Sequence, residues 1–325
     1  WGNGQYGQLG NGQFSKSQTP VPIIYIPRPA IDISTSPTTT YALLDNGDTW
    51  GWGASLNNQI NLSEKTPATP FPQKILIPKA HAIANTNHSL CVAQQKGGIF
   101  CQGEIYHQDE NQNIFIKEQQ QYTKTKFFQT IDGGYNHYCA LDTNRQFYCW
   151  GQNDKKQTGQ PKTTNQPLQI INTPTLIPFE KPIVKIATGQ HHSCALDINN
   201  TLWCLGDKKA FSPENGTTSK PQKVATFETV QDIAAGNGFT CLATNQTYCI
   251  GNNIKTPWLP FAPHTPKIKT LAIQNQQICG LDENNQAWCT SDQSLSVANA
   301  QPSDWQAQNT MKDRWNRLVG WWAKK

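Results

Sequence analysis

The side chains with the most chemical potential are ten cysteines, which fall into five pairs along the chain. Four pairs are separated by ten residues and one by eight, with polar turn residues between the two members. This pattern fits three chemistries, namely disulfide bonding, buried free thiols and zinc ligation. The pairs are Cys91 with Cys101, Cys139 with Cys149, Cys194 with Cys204, Cys241 with Cys249, and Cys279 with Cys289.

Hairpin geometry favours disulfides within each pair. A hairpin centred on Asn144 places Cys139 opposite Cys149, and directly opposed residues lie about 4.5–5.5 Å apart at Cα, within disulfide reach. In the first hairpin we take Ala42 and Gly51 as the equivalent positions, so both cysteines are absent together, as a covalent pair predicts. Reduced core thiols and zinc remain the alternatives, although one hairpin supplies only two of the four ligands of a structural zinc site.

Catalytic patterns are missing from the sequence. It contains no G-x-S-x-G elbow, no phosphate loop and no H-E-x-x-H pair. Acidic residues recur at hairpin turns, where Asp is favoured for backbone reasons, as at Asp142, Asp197 and Asp282. The histidines that precede cysteines are expected to pack structurally. We therefore expect a protein that is not an enzyme and that needs no cofactor or metal.

Composition also limits the class of protein. Charged residues make up only 15% of the 325 residues and the net charge is +5, while Gly (23) and Pro (21) are frequent. Such a chain suits short strands joined by tight turns, and its mild charge argues against a nucleic-acid groove. It contains no apolar run of membrane-spanning length. It opens at Trp1 inside a repeat unit, which we interpret as a processed protein or a fragment.

Repeats organise most of the chain. Six segments read alike, each with a short strand, a turn rich in Asp, Asn and Gly, and a second strand ending near an aromatic residue and Gly, as in HSCALDINNTLWCLG from His192. Trp-Gly equivalents recur at spacings of 40 to 55 residues and number seven when the opening Trp1-Gly2 is counted. Alternation around such a turn indicates a hairpin, and a series of hairpins packing on their neighbours is typical of a β-propeller.

Two of these segments resemble a known family. The stretches WGNGQYGQLG from Trp1 and GQHHSCALDINNTLWCLG from Gly189 are similar to the two halves of a regulator-of-chromosome-condensation repeat. The resemblance covers residues 1 to about 291 and weakens in the last two hairpins. It implies an all-β, regulator-of-chromosome-condensation-like β-propeller, for which we prefer seven blades, with six as the alternative.

The end of the chain changes pattern. From Pro302 the apolar residues follow a helical period behind a capping box at Ser303 and Gln306. We therefore predict a propeller domain over 1–300 and a basic, amphipathic α-helical tail over 301–325, carrying five basic and two acidic residues, hence +3 of the net +5. Its predicted binding residues are Trp305, Met311, Trp315, Leu318, Val319, Trp322, Arg314 and Arg317. The tail is predicted to pack on the propeller, to enter a partner's groove, or to lie on a membrane surface.

Two segments interrupt the repeats. A long polar insertion begins at Gln108, and we interpret it either as a solvated connection or as a binding loop. The stretch TPWLPFAPHTP from Thr256 concentrates Trp258 and Phe261, which form a predicted loop hot spot or an ordinary blade connection.

Disulfides imply an oxidising compartment, so the predicted location is extracellular, periplasmic or at the cell surface. The preferred hypothesis is an exported scaffold that binds another protein through loops on one face of the propeller; no nucleic-acid partner is expected. Two alternatives follow from the resemblance and the tail. One is a regulator of a small GTPase that acts like a guanine-nucleotide exchange factor, and the other is a structural assembly subunit docked through its tail.

Overall fold

The computed structural model describes residues 1–60, 67–163, 167–251, 267–274, 277–290 and 305–307. These residues form 23 strands and one short 3₁₀ helix, η1 (Lys208–Ala210), and contain no α-helix. The strands build six antiparallel sheets that follow one another along the chain. Residues 1–132 pack as one compact unit, and the described residues from 133 onwards pack as a second.

The first three sheets each have four strands. The first contains β1 (Ala30–Thr35), β2 (Thr39–Leu44), β3 (Thr49–Ala54) and β4 (Ala68–Lys74). The second contains β5 (Ala80–Asn85), β6 (Ser89–Gln94), β7 (Ile99–Gln108) and β8 (Ile114–Tyr122). The third contains β9 (Phe128–Gly133), β10 (His137–Asp142), β11 (Phe147–Gln152) and β12 (Ile170–Ile177).

The last three sheets repeat this order. The fourth contains β13 (Ile183–Thr188), β14 (His192–Asp197), β15 (Thr201–Asp207) and β16 (Thr217–Thr226). The fifth has three strands in the described part of the chain, β17 (Asp232–Ala235), β18 (Phe239–Ala243) and β19 (Thr247–Gly251). The sixth contains β20 (Ile268–Gln274), β21 (Gln277–Asp282), β22 (Ala287–Thr290) and β23 (Trp305–Ala307).

The second and third strands of each sheet form the hairpin that the sequence predicts, and its turn is held by aspartate in three of the sheets. The carboxylate of Asp197 accepts hydrogen bonds from the backbone N–H groups of Asn199 (2.8 Å) and Thr201 (3.0 Å). Asp142 and Asp282 accept the equivalent pairs in the third and sixth sheets. These aspartates therefore satisfy backbone donors in a tight turn, as the sequence interpretation expected.

In the first four sheets, a glycine of the third strand stands at the Trp-Gly position or its equivalent. Gly53, Gly103, Gly151 and Gly206 have φ angles of 105°, 111°, 100° and 102°, a region that residues with a Cβ rarely adopt. The register with the fourth strand shifts at or next to each of them. The Trp-Gly signature and its equivalents thus mark a β-bulge between the third and fourth strands of these four sheets.

Neighbouring sheets pack face to face within each unit. In the first unit, Tyr41 and Leu43 of β2 share a buried cluster with Ile83, Leu90 and Val92 of the second sheet. In the second unit, equivalent clusters join the third sheet to the fourth, the fourth to the fifth, and the fifth to the sixth. Single hairpins are marginally stable in water, so this burial between sheets stabilises them.

The structure has six blades, which is the alternative count of the sequence analysis rather than the preferred seven. The segment Trp1–Gly10, counted as a Trp-Gly unit, forms no sheet and makes one isolated bridge between Gly2 and Ser17. It packs as a loop on the first sheet, where the carbonyl of Gln8 accepts hydrogen bonds from Thr40 Oγ1 (2.8 Å) and Trp52 Nε1 (2.9 Å).

The tail departs from the predicted helix where the structure describes it. Residues Trp305–Ala307 form β23, which pairs with β22 so that Gln306 lies opposite Cys289. A helical prediction is wrong at these three residues because the edge of β22 offers backbone pairing that a local capping signal does not outweigh. The other predicted tail residues lie outside the described residues, and no described helix has the length and apolarity needed to span a membrane.

Candidate protein-binding surfaces

All ten cysteines form the five predicted disulfides, and each bond links directly opposed residues of the second and third strands of one sheet, with Cα atoms 4.1 Å apart. The prediction of the pairing is confirmed in every case, including the hairpin whose cysteines are only eight residues apart. The bonds join Cys91 to Cys101, Cys139 to Cys149, Cys194 to Cys204, Cys241 to Cys249, and Cys279 to Cys289.

The first sheet has no disulfide, and its register corrects one detail of the sequence argument. Tyr41, not Ala42, lies opposite Gly51. The ring of Tyr41 contacts the space above that glycine. In this blade, Tyr41 and Gly51 therefore occupy the pair of opposed positions that a disulfide occupies in the other five blades.

Two histidines form buried links between neighbouring sheets of the second unit. His137 Nε2 lies 2.8 Å from Ser193 Oγ, and His192 Nε2 lies 2.8 Å from Thr240 Oγ1. Each hydroxyl also donates to a backbone carbonyl, Ser193 to Gln157 and Thr240 to Ala210. The histidines must therefore donate to these hydroxyls through Nε2–H.

Burial controls the charge of these two side chains. Both rings are fully buried, and desolvation lowers the pKa of His137 and of His192 to about 3. Nearby histidines lower the pKa further, His191 acting on His137 and His137 on His192. The two buried imidazoles therefore stay neutral, and each packs between sheets and donates one hydrogen bond. The described residues contain no group of three or more His, Cys, Asp or Glu side chains placed to hold a metal ion.

The polar insertion in the second sheet forms an ordered hairpin rather than an irregular connection. β7 and β8 pair from Ile99 and Tyr122 out to Gln108 and Ile114, with a register shift between Gln102 and Ile105. Beyond that shift β6 no longer flanks β7, since its pairing with β7 ends at Gly103. Residues 105–117 are therefore a two-stranded extension of the second blade, here called the arm.

The turn of the arm is closed by side-chain and backbone hydrogen bonds. Asp109 accepts from the backbone N–H of Asn113 at 2.7 Å and from its side-chain amide at 3.0 Å. The backbone of Asp109 bonds to both Gln112 and Asn113, and Gln112 takes a φ of 66°. The hydrogen bonds to Asp109 also hold the pKa of its carboxyl below the usual range.

The base of the arm is anchored to the loop between β3 and β4 of the first sheet. His88 Nδ1 lies 2.7 Å from the amide nitrogen of Asn57 and 3.8 Å from Glu104, whose other neighbour is the hydroxyl of Tyr106 at 3.2 Å. Farther along the strand, Asn58 donates to the carboxylate of Glu118 at 3.3 Å. These contacts hold the direction of the arm within the first unit.

Both faces of the arm expose apolar side chains. Ile114 and Ile116 lie on one face and are 41% and 50% exposed, and Phe115 on the other face is 43% exposed. Phe115 stacks on His107 with ring centroids 5.8 Å apart, and Lys117 Nζ lies 5.8 Å above the Phe115 ring. Burial, followed by the charge of Lys117, lowers the pKa of His107. Three consecutive exposed apolar residues in a polar insertion mark a surface suited to binding another chain.

A second exposed apolar surface lies on the first blade. Ile24 (55% exposed) and Phe71 (47% exposed) flank Gly12, where an added Cβ would meet both side chains. Tyr25 beside them is 60% exposed and packs edge-on against Trp50, with centroids 6.3 Å apart. Ile24, Tyr25 and Phe71 are called the first-blade patch. Sequence reasoning missed it because its members come from a loop and from β4, 46 residues apart.

A shallow groove adjoins the outer strand of the fourth blade. It measures about 460 Å³ and lies between the end of η1, β16 and the third strand of the fifth sheet. Phe211, Val224 and Ile250 give it an apolar floor, and Glu214 and Lys223 stand at its rim. The predicted loop hot spot at Trp258 and Phe261, like the predicted tail residues from Met311 onwards, lies outside the described residues.

Comparisons with known proteins place this architecture. The regulator of chromosome condensation (RCC1) repeat matches residues 1–43 and 146–196, and a second model of the same repeat matches 128–157. The ultraviolet-B receptor UVR8 of Arabidopsis thaliana is 24% identical over 218 residues, which are 63% of this chain and 48% of the receptor. The chain spans about half the length of the curated relatives that it matches.

Solved structures agree on the fold. Prp20p of Saccharomyces cerevisiae, described together with its binding to Gsp1p and histones, superposes with a TM-score of 0.76 at 18% identity, covering 89% of this chain and 79% of that one. The ectodomain of the receptor kinase CR4 from Physcomitrella patens gives a TM-score of 0.53 at 17% identity, covering 82% and 62%.

The hairpin repeats, the six sheets and these superpositions define an all-β, six-bladed β-propeller. Within that class, the repeat matches and the relatives support a divergent β-propeller that is similar to those built from regulator-of-chromosome-condensation repeats. The sequence prediction of an all-β, regulator-of-chromosome-condensation-like β-propeller is thereby confirmed, with six blades, the alternative count.

Proposed function

We propose that this protein is an exported, disulfide-stapled scaffold that binds another protein and performs no catalysis. The observation that carries the proposal is the complete use of cysteine: all ten form disulfides, one in each of five blades. Structural disulfides form and persist in oxidising compartments and are rare in the cytosol. An exported location explains why the same bond recurs at the same hairpin position.

The disulfides also suit a rigid binding scaffold. Each closes a loop of ten or eight residues, for which the chain-entropy model gives about 2–3 kcal/mol per bond. Because each bond pins the two central strands of one blade, the loops and outer strands are presented from a frame that resists local opening. Rigid scaffolds that display variable loops are a common basis of protein recognition.

The relatives support a protein partner in general terms. Prp20p binds the proteins Gsp1p and histones, and the CR4 structure is an ectodomain. The first-blade patch supplies a suitable contact, because aromatic and aliphatic side chains exposed together typically form the centre of protein interfaces. We assign the partner-binding surface of the scaffold to this patch and its flanking loops.

Two other functions compete with this proposal. An exchange-factor-like regulator of a small GTPase requires a cytosolic or nuclear protein with reduced cysteines. An assembly subunit docked through its tail requires that residues 308–325 be dispensable for folding and necessary for association. A tail that lies on a membrane surface is a further alternative. Deletion of residues 308–325 distinguishes these tail-based hypotheses from an interaction through the first-blade patch.

The patch is tested by affinity capture from the extracellular material of the source, using purified protein immobilised under non-reducing conditions. Wild-type protein should retain a specific partner, and Phe71→Glu should reduce its recovery at least tenfold, since one buried charge in an interface costs about 1.4 kcal/mol or more. The matched control is Leu76→Glu, at an exposed apolar residue outside the patch. Equal recovery by all three proteins would contradict the assignment.

A further inference from the structure

The outer strands of the blades differ in whether they contain proline, a residue that limits pairing with another strand. Four outer strands have at least seven residues, namely β4, β8, β12 and β16. Three of them contain proline, with Pro70 and Pro72 in β4, Pro174 in β12 and Pro221 in β16. Proline on an edge strand removes a backbone donor and blocks pairing with another chain. β8 (IFIKEQQQY) contains neither proline nor glycine.

Apart from two charged side chains, the outer end of β8 has few of the other features that protect an edge strand. The strand is nine residues long, and its first six residues include only two charged side chains, Lys117 and Glu118. Ile114, Phe115 and Ile116 are exposed on both of its faces. A two-stranded ribbon is marginally stable alone, and a third strand or a packed face stabilises it. The arm is therefore a two-stranded ribbon that pairing of β8 with a further strand would stabilise.

We propose that β8 pairs antiparallel with β8 of a second copy of this chain, joining two arms into a four-stranded sheet. A two-fold axis perpendicular to the sheet relates the two strands and keeps the same faces together. Side chains alternate between the two faces of a strand. Each residue of β8 therefore lies opposite a residue of the second copy whose side chain points to the same face of the sheet. The contact is isologous and closes at two subunits.

Among axes centred on residues 114–118, which lie at the outer end of β8, the sequence selects one register. Centring the axis on Lys117 or Glu118 places like charges directly opposite each other, which is destabilising. Centring it on Phe115 leaves only residues 114–116 paired, because the strand begins at Ile114. Centring it on Ile116 pairs residues 114–118, with Ile116 facing its own copy and Phe115 facing Lys117.

The favoured register continues a contact already present in one chain. Lys117 Nζ lies over the Phe115 ring at 5.8 Å, and pairing centred on Ile116 adds a second cation above each ring across the axis. It also places Ile116 against Ile116 of the second copy, while Ile114 lies opposite Glu118 of that copy. An interface of this length falls at the low end of the size range of specific contacts, so we expect a dissociation constant of about 1–100 µM.

The proposal is tested by sedimentation velocity of the intact, oxidised protein at about 1 µM to about 300 µM, concentrations that bracket the expected constant. Wild-type protein should shift from monomer to dimer across this range. Ile114→Lys with Ile116→Lys should remain monomeric, while Leu176→Lys, on the proline-containing outer strand β12, should dimerise like wild type. A wild-type protein that stays monomeric at every concentration overturns the proposal.

Cross-linking tests the register independently. Ile116→Cys places two thiols across the axis, within disulfide distance, and should give a covalent dimer on non-reducing gels under mild oxidation. Gln120→Cys on the same strand lies outside the paired segment and should not. A covalent dimer from Gln120→Cys but not from Ile116→Cys would reject this register. Dimerisation does not depend on the compartment or on the first-blade patch, so its failure leaves the proposed function untouched.

Discussion

Buried histidines account for the Gly-x-x-His pattern at the start of the second strand in the third and fourth blades. His137 and His192 each reach a hydroxyl of the next blade. The glycine three residues earlier makes room for the ring, since a Cβ on Gly134 would lie 2.9 Å from Nδ1 of His137, and one on Gly189 would overlap the ring of His192. The motif therefore encodes packing between blades, and the sequence interpretation of these histidines as structural was sound.

The same histidines predict how stability depends on pH. Because the folded-state pKa is about 3 for both and the unfolded value is about 6.5, the unfolded chain binds more protons between these limits. Stability contributed by the neutral rings is therefore present above about pH 6.5 and is lost as the pH falls, by about 2 kcal/mol for each histidine at pH 5.

The measurement is the thermal midpoint of unfolding from pH 7.5 to pH 4.5, which should fall steadily on acidification. His192→Gln should lower the midpoint at neutral pH and flatten the acid slope, because one titrating group is removed. The control is Gln73→Asn, at an exposed position that carries no titrating group, which should keep the wild-type slope. An unchanged slope in His192→Gln would show that burial of this ring does not control the acid sensitivity.

At the scale of elements, the disulfides act on hairpins that can form without them. The first blade has the same hairpin with Tyr41 opposite Gly51 instead of a cysteine pair. Cys194→Ala with Cys204→Ala should therefore leave the fold intact and lower the free energy of unfolding by about 2–3 kcal/mol. Both cysteines must be replaced together so that no free thiol reshuffles the remaining bonds.

Hydrogen exchange checks where this loss occurs. Protection should fall most in β14 and β15, with smaller changes in the other blades, because a short cross-link mainly restrains local opening. Calorimetry gives the total loss. Global unfolding of the double variant at room temperature would contradict the view that blade packing alone maintains the hairpins.

The sequence predicts the central hairpins well and the outer strands poorly, for a physical reason. In the hairpins, turn chemistry and cysteine spacing fix the register, so Cys101 lies opposite Cys91 and Cys249 lies opposite Cys241, although the second turn is two residues shorter. The outer strands follow a bulge at the Trp-Gly glycine and connections of variable length, and β8 and β16 lack a regular apolar alternation. The sequence therefore does not distinguish a solvated connection from a binding loop at the arm, which the structure shows to be a pair of strands.

At the scale of the whole molecule, repeats identify the architecture more readily than its blade count. Counting Trp-Gly equivalents treated Trp1–Gly10 as evidence of a seventh unit, but this segment packs as a loop through Gln8. The Trp-Gly motif reads alike in a loop and in a blade, and only the strand pairing seen in the structure distinguishes the two. The predicted boundary at residue 301 stays a prediction, while β23 adds Trp305–Ala307 to the sixth sheet.

Export is the central claim, and the thiol state of the protein in its own organism tests it most directly. Native protein would be isolated after quenching with an alkylating agent, and its intact mass compared before and after reduction in denaturant. We predict that the native protein carries no alkyl group and that the reduced protein carries ten, one for each cysteine. Ten alkyl groups on the native protein would contradict the account and favour a cytosolic, exchange-factor-like role.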